Sequence, residues 1–339
     1  MEAKVNFELG KKRLERLWGR GKAFLGTEYA ILGGAMTWVS DRYLVSALSN
    51  AGGFGVIACG GMSPELLETE IRETRKRTKK PFGVNLITMH PDLDRLVDVC
   101  LNEKCSHVVL AGGLPPGGAI AKIKDGGAKL ICFSPALSLA KKLIKSGVDA
   151  LVIEGAEAGG HIGPVSTAVL AQEILPHVES VPVFVAGGIG RGEAIASYLQ
   201  MGASGAQLGT RFVCAREANV HENFKKAFFR ASARDAVPSV QLDSRFPVIP
   251  VRALKNRASE EFLEFQRKTI EKFNDGKLDQ KEAQLEIERY WAGALKRAVV
   301  EGDIETGSLM AGQSVGMVTR EQSTAEIIAE LVDEAAAFL

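Results

Sequence analysis

From Tyr29 onward, short apolar runs rich in β-branched residues alternate with longer stretches in which Leu, Ile, Val and Ala recur at helical spacing. The runs predict strands at 29–33, 54–58, 82–87, 106–110, 129–133, 149–153, 182–186 and 205–208. The stretches between them predict helices at 41–51, 64–77, 91–103, 136–146, 166–178 and 191–202. Ser63-Pro64 and Ser134-Pro135 read as helix starts, because proline is tolerated in the first turn. Strands this uniformly apolar are covered on both faces, and their alternation with helices implies parallel pairing through right-handed crossovers. Eight such units predict an α/β fold, a TIM (β/α)8 barrel. An open doubly wound sheet is the alternative that the strand count leaves standing.

The rhythm stops near Glu217. The stretch VPSVQLDSRFPVIPVRALKN reads as irregular, and the charge-rich sequence after it reads as a helical cap. TGSLMAGQSVGMV, followed by an amphipathic helix at 321–338, reads as a return to the barrel body. The expected organisation is a basic arm at 1–24, a barrel at 25–230, a smaller and mostly helical cap or substrate domain at 231–300, and a return segment at 301–339. Seven basic and three acidic groups in the arm describe a solvated helix. Over the whole chain 42 Lys+Arg oppose 41 Asp+Glu, a balance that argues against a nucleic-acid binder held by bulk electrostatics. No apolar run approaches the roughly 20 residues that cross a bilayer, and the N-terminal sequence lacks the apolar core of a signal peptide. The expectation is a cytoplasmic protein with no membrane partner. Cys59, Cys100, Cys105, Cys132 and Cys214 have no repeated short spacing, which suggests neither a disulfide framework nor a zinc site. Cys59 and Cys132 fall in apolar segments where a thiol packs protonated.

In an α/β barrel the chemistry lies at the C-terminal ends of the strands, and there the glycines gather. The loops read Gly33-Gly34-Ala35-Met36, Gly60-Gly61-Met62, Gly112-Gly113, Gly159-Gly160-His161, Gly187-Gly188 and Gly209-Thr210. Loops after barrel strands seven and eight commonly offer backbone N–H groups to a phosphate, so Gly187, Gly188, Gly209 and Thr210 point to a phosphate-bearing cofactor. Tight strand-to-helix turns are the plainer use of any one such pair. Of five histidines only His161 is set among glycines at a strand end, which suits proton transfer beside a cofactor. Glu154 and Glu157 could tune it, or be surface carboxylates. His90, His177 and His221 read as loop or helix-end residues, and His107 as packed within a strand. No Walker-type loop, Rossmann fingerprint, nucleophile elbow or metal-ligand spacing is present, so no metal is expected.

The segments GAMTWVSD, LSNAGGFGVIA, KPFGVNL, EGAEAGGHIGPVS, VPVFVAGGI, GAQLGTRF and SLMAGQSVG together resemble the nitronate monooxygenase (2-nitropropane dioxygenase) family of FMN-dependent barrels. The resemblance runs over nearly the whole chain from Tyr29. It implies FMN at the strand ends and His161 as catalytic base. It also implies that Ala35 and Met36 line the isoalloxazine and Asn85 hydrogen-bonds it. Gly159 and Gly160 would flank it, Gly187, Gly188, Gly209 and Thr210 hold its phosphate, and Gly312 and Gln313 close the site. One departure is Gly33, where the family usually has glutamine, so any polar contact from that side chain is missing or supplied elsewhere.

GAMTWVSD, EAGGHIG, SLMAGQ and PVRALKN also resemble the FMN-dependent enoyl-ACP reductase II subgroup. Two reactions follow from the resemblance. Nitronate oxidation needs a nitronate, FMN and O2, and is the leading expectation. Enoyl thioester reduction needs NAD(P)H and an acyl carrier protein, and stands close behind. A non-catalytic flavin-binding protein is the alternative of another class. Residues 259–298 are amphipathic enough to form a lid over the flavin or a homodimer contact. Phe246 and Trp291 could wall an apolar substrate pocket, with ordinary core packing as the plainer use.

Overall fold

The computed structural model describes the backbone of residues 2–246 and 249–339, and the side chains of 5–246, 249–287, 290 and 293–339. Its strands in chain order are β1 (Ile31–Gly33), β2 (Gly55–Ala58), β3 (Phe82–Ile87), β4 (His107–Ala111), β5 (Lys129–Phe133), β6 (Ala150–Glu154), β7 (Gly160–His161), β8 (Val183–Ala186), β9 (Gly205–Leu208), β10 (Ala236–Pro238) and β11 (Val251–Leu254). Eight of them pair in parallel in the order β1-β9-β8-β6-β5-β4-β3-β2, and a bridge between Leu32 and Phe54 brings β1 back beside β2. The sheet is therefore a TIM barrel rather than an open doubly wound sheet. Each expected strand is present within a few residues of its predicted span.

The helices between them bury their apolar stripes on the barrel. Asp41 caps Arg42–Asn50 by accepting from the amides of Tyr43 and Leu44, and Ser63 caps Pro64–Arg77 with Pro64 in the first turn. Two local readings need correction. Leu137–Lys145 starts two residues beyond Pro135, with the Ser134 hydroxyl turned onto the Ala136 carbonyl. A helix at Gly117–Asp125 was not foreseen, because it opens on Pro-Pro-Gly-Gly, residues that by propensity end helices.

Aromatic contacts define which side chains face the barrel axis. Phe24 meets His107 of β4 and Phe184 of β8, and Phe54 meets His107 from another side. These four rings pave the floor. Phe24, half-buried, arrives from the helix Gly19–Leu25, and Leu14, Trp18 and Leu25 of the same N-terminal segment are buried. The N-terminal segment is helical as expected, yet one side of it is core rather than solvated. His107 Nε2 lies 3.0 Å from the Phe24 carbonyl, and burial pushes its pKa down to about 4, so it is a neutral packing group.

A second, smaller core holds Phe246, Val251, Phe262, Ala283 and Ile287 between the helices Arg257–Asn274 and Gln280–Lys296. Phe246 is part of this packing; the side chain of Trp291 lies outside the described residues. The stretch read as irregular instead supplies β10 and β11, which pair antiparallel with each other, and β11 pairs antiparallel with β7. Its strand character was hidden because its partner, β7, is two residues long and far away in sequence. Ser323 and Glu326 form a capping box at the start of the last helix, Thr324–Phe338, which packs against Glu2–Leu17 and Gly192–Gln200.

Candidate active site

Successive residues of a strand alternate between faces, and residues in register across parallel strands share a face. Phe184 and His107 point inward, so Ala186 and Val109, two positions further on, do too. Ala186 is in register with Glu154 of β6 and Gln207 of β9, and Val109 with Asn85 of β3. Asn85, Glu154 and Gln207 thus converge inside the barrel mouth. Asn85 and Gln207 are buried, and among the described residues none of the three side chains has a hydrogen bond to another group of the chain. Burial pushes the Glu154 carboxyl up to about 7, with no neighbouring charge contributing. Two carboxamides and a carboxyl that face the barrel mouth with their hydrogen-bonding capacity unused within the chain form a binding surface for a polar ligand.

The glycine loops sit on the rim above this ring. Gly187 and Gly188 have φ of +93° and +71°, a conformation costly for other residues, which turns the chain sharply after β8. Among the described residues the amides of Gly188 and Gly209 donate to no backbone carbonyl, and Thr210 opens a helical turn whose first N–H has no partner within it. Met36 lies beside Gly209, its sulfur 3.5 Å from where a β-carbon there would stand. Ser40 fixes that first loop by donating to the Gly34 carbonyl at 2.9 Å and accepting from the Met36 amide at 3.0 Å. Thr210 accepts from the Gly312 amide at 2.9 Å, which draws the SLMAGQ loop over the rim. The Gln313 amide donates to the Glu157 carbonyl at 2.9 Å. Gly159 packs so closely under Gly312 that a β-carbon would come within 2.6 Å of its nitrogen.

Ala35, Met36, Asn85, Gly159, Gly160, Gly187, Gly188, Gly209, Thr210, Gly312 and Gln313 are therefore gathered at one end of the barrel. His161 sits with them in β7, its backbone paired with Val251 of β11 and its side chain exposed. Three other histidines are engaged elsewhere: His107 packs in the barrel floor, and His90 and His221 accept from the amides of Asp92 and Asn223. The Glu157 carboxylate is held by the Thr167 amide and hydroxyl at 2.9 and 3.0 Å, so it caps the helix Thr167–Ile174. Gly33 faces outward, where a β-carbon would stand 2.4 Å from Leu48, so a side chain there would not reach the mouth. Its departure from the family pattern leaves the interior of the mouth untouched. The sequence singles out Glu154 for its nearness to His161, whereas its place on the same inner face as Gln207, with Ala186 between them, follows only from the strand register. Gln207 and Arg252 were missed altogether.

All five cysteines are free and buried, and burial pushes Cys59 and Cys132 up to about 12. No thiolate nucleophile arises from either. Among the described residues no group of His, Cys, Asp and Glu is arranged to hold a metal ion, and no helix is long and apolar enough to cross a membrane.

An eight-stranded parallel barrel with polar side chains, glycine loops and one histidine collected at its strand ends is the architecture of an α/β-barrel enzyme. A family model described as nitronate monooxygenase matches residues 20–95 and 90–334. The chain belongs to the nitronate monooxygenase family, whose members are oxidoreductases. It is 30% identical to (3aS,4S,5R,7aS)-5-hydroxy-7a-methyl-1-oxo-octahydro-1H-indene-4-carboxyl-CoA dehydrogenase of Rhodococcus jostii, over 92% of this chain and 94% of that one. It is 31% identical to a nitronate monooxygenase of Paraburkholderia phytofirmans, over 65% of this chain and 73% of that one. Among solved structures, FabK from Thermotoga maritima superposes with a TM-score of 0.83 at 37% identity, covering 93% of this chain and 95% of that one.

Proposed function

We propose that this chain is an FMN-dependent oxidoreductase acting on an acyl thioester, with NAD(P)H as co-substrate and His161 as the proton-transferring group. The observation that carries the flavin part is the convergence of Asn85, Glu154 and Gln207 beneath rim amides with no backbone partner, a donor set suited to a flat heteroaromatic ring bearing a phosphate. The Rhodococcus relative, a CoA-thioester dehydrogenase by name, matches nearly end to end and favours the thioester. When bound, FMN supplies a two-electron redox group, and the protein's task is to hold and tune it. Ala35, Met36, Asn85, Gly159 and Gly160 would border the ring, Gly187, Gly188, Gly209 and Thr210 would take the phosphate, and Gly312 and Gln313 would cover it. Glu154, titrating near 7, can donate a hydrogen bond while protonated. A ring nitrogen of His161 gives a proton to, or takes one from, the carbon beside the thioester carbonyl. A cytoplasmic location and an acyl carrier protein or CoA as the carrier belong to the same reading.

Nitronate oxidation is the second reading, favoured by the description of the family model and by the Paraburkholderia relative. There His161 removes a proton from the neutral nitroalkane. Anaerobic rapid mixing of the yellow protein with NADH, NADPH or propionate 3-nitronate, followed in the visible flavin band, separates the two. Bleaching by a nicotinamide and recovery on adding an enoyl-CoA is the expected result. Bleaching by the nitronate alone would transfer the assignment to the second reading, and a colourless protein that binds no FMN would overturn both. His161→Ala is expected to keep its flavin and lose about 10²–10⁴ in turnover; unchanged turnover would remove His161 from the chemistry.

A further inference from the structure

We infer that Arg252 is a positioning residue that locks the His161 loop in its working geometry from the side of the cap. This rests on the reading of His161 as the proton-transferring group.

The loop Gly155–Gly163 has five glycines and alanines among the six residues before His161, a composition that gives it little stiffness of its own. Gly160, next to the histidine, has a φ of +75°. What shapes the loop comes from outside it. β11 pairs with β7, placing Arg252 opposite Gly160 and Val251 opposite His161, and the Ile162 amide donates to the Pro250 carbonyl at 3.0 Å. Arg252 is buried, and its guanidinium divides its donors between two segments. Nε donates to the Ala156 carbonyl at 2.9 Å, at the start of the loop, and Nη1 to the Ala236 carbonyl at 2.6 Å, in β10. One planar group therefore joins the barrel end of the loop to both strands of the cap ribbon.

Burial pulls the Arg252 pKa down while the Glu157 carboxylate holds it up, so charge compensation also comes from the loop side. A lysine could reach one carbonyl but lacks the fork that reaches both. A residue serving packing alone would not need donors aimed at two separate backbone segments, and its loss would not act selectively on the loop that carries the histidine.

The test uses the full-length, flavin-loaded protein with Arg252→Met and Arg252→Lys. Hydrogen exchange at the Ile162 amide, FMN affinity by fluorescence quenching, and kcat, KM and their pH profile are measured together. In Arg252→Met the expected result is exchange at Ile162 faster by about tenfold or more and kcat lower by about 10²-fold, the scale of a misplaced catalytic group. FMN affinity is expected to stay within about threefold, and Arg252→Lys to fall between. Guanidinium added to the full-length Arg252→Ala protein is expected to restore part of kcat.

Unchanged exchange with unchanged kcat in a folded variant would overturn the assignment. So would a uniform rise in exchange across the barrel, or failure of both variants to fold, since each describes a general structural anchor. The exchange readout needs no substrate, so it stands or falls separately from the thioester reading.

Discussion

At the scale of single residues, the mouth of the barrel separates groups that look alike in the sequence. Glu154 and Glu157 lie three positions apart in one glycine-rich stretch, yet one faces the barrel axis without a partner and the other caps a neighbouring helix. The difference appears in their titration. Glu154 has a pKa of about 7 in the folded chain against an ordinary 4.5, so the folded state holds this proton more tightly than the unfolded one. Its contribution is fully present below about pH 4.5, falls as pH rises toward 7, and is constant above. In flavin-free protein the loss is at most about 3 kcal/mol, reduced by water in the mouth. Glu154→Gln should flatten this part of the stability profile and raise the melting temperature at pH 8 relative to the parent. A slope that persists in the variant would assign it to another group. His161 was legible in the sequence because glycines isolated it, and Asn85 because of its motif. Gln207 carries no such flag in GAQL, since only the register of β6, β8 and β9 sets it on the same inner face as Glu154, with Ala186 between them.

At the scale of elements, strand periodicity was legible because each barrel strand is apolar throughout, and the helices because their starts carry local caps. The cap ribbon was not, because β10 and β11 are defined by partners across the chain rather than by an internal pattern. The same non-local logic governs Thr167–Ile174. Its own N-cap, Ser166, makes no side-chain capping bond, and the function passes to Glu157. A carboxylate there also complements the positive end of the helix. Glu157→Ala should cost about 1–2 kcal/mol in chemical denaturation, with faster amide exchange in the first turn of that helix. A cost below about 0.5 kcal/mol would mean that the helix start is held by the barrel alone.

At the scale of the whole molecule, the N-terminal segment changes most between sequence and structure. Its charges describe a solvated arm, but Leu14, Trp18 and Leu25 are buried, and Phe24 covers the barrel floor. Charge counts report the outer face of an amphipathic helix and are silent about what its other face covers. Removing residues 2–25 should therefore prevent cooperative folding rather than trim a tail, measured by size-exclusion profile and thermal melt. A truncated protein that melts like the parent would return the segment to the status of a dispensable arm.

The sharing of β7 between the rim loop and the cap ribbon also bears on how such enzymes can be recombined. A cap exchanged at residues 231 and 300 would leave one of its own strands behind, because that strand is encoded before β8. Working chimaeras between relatives should need two inserts travelling together, the cap and the segment around His161. Inheritance of substrate preference is then expected to follow that pair as one heritable unit, split in the gene but joined in space.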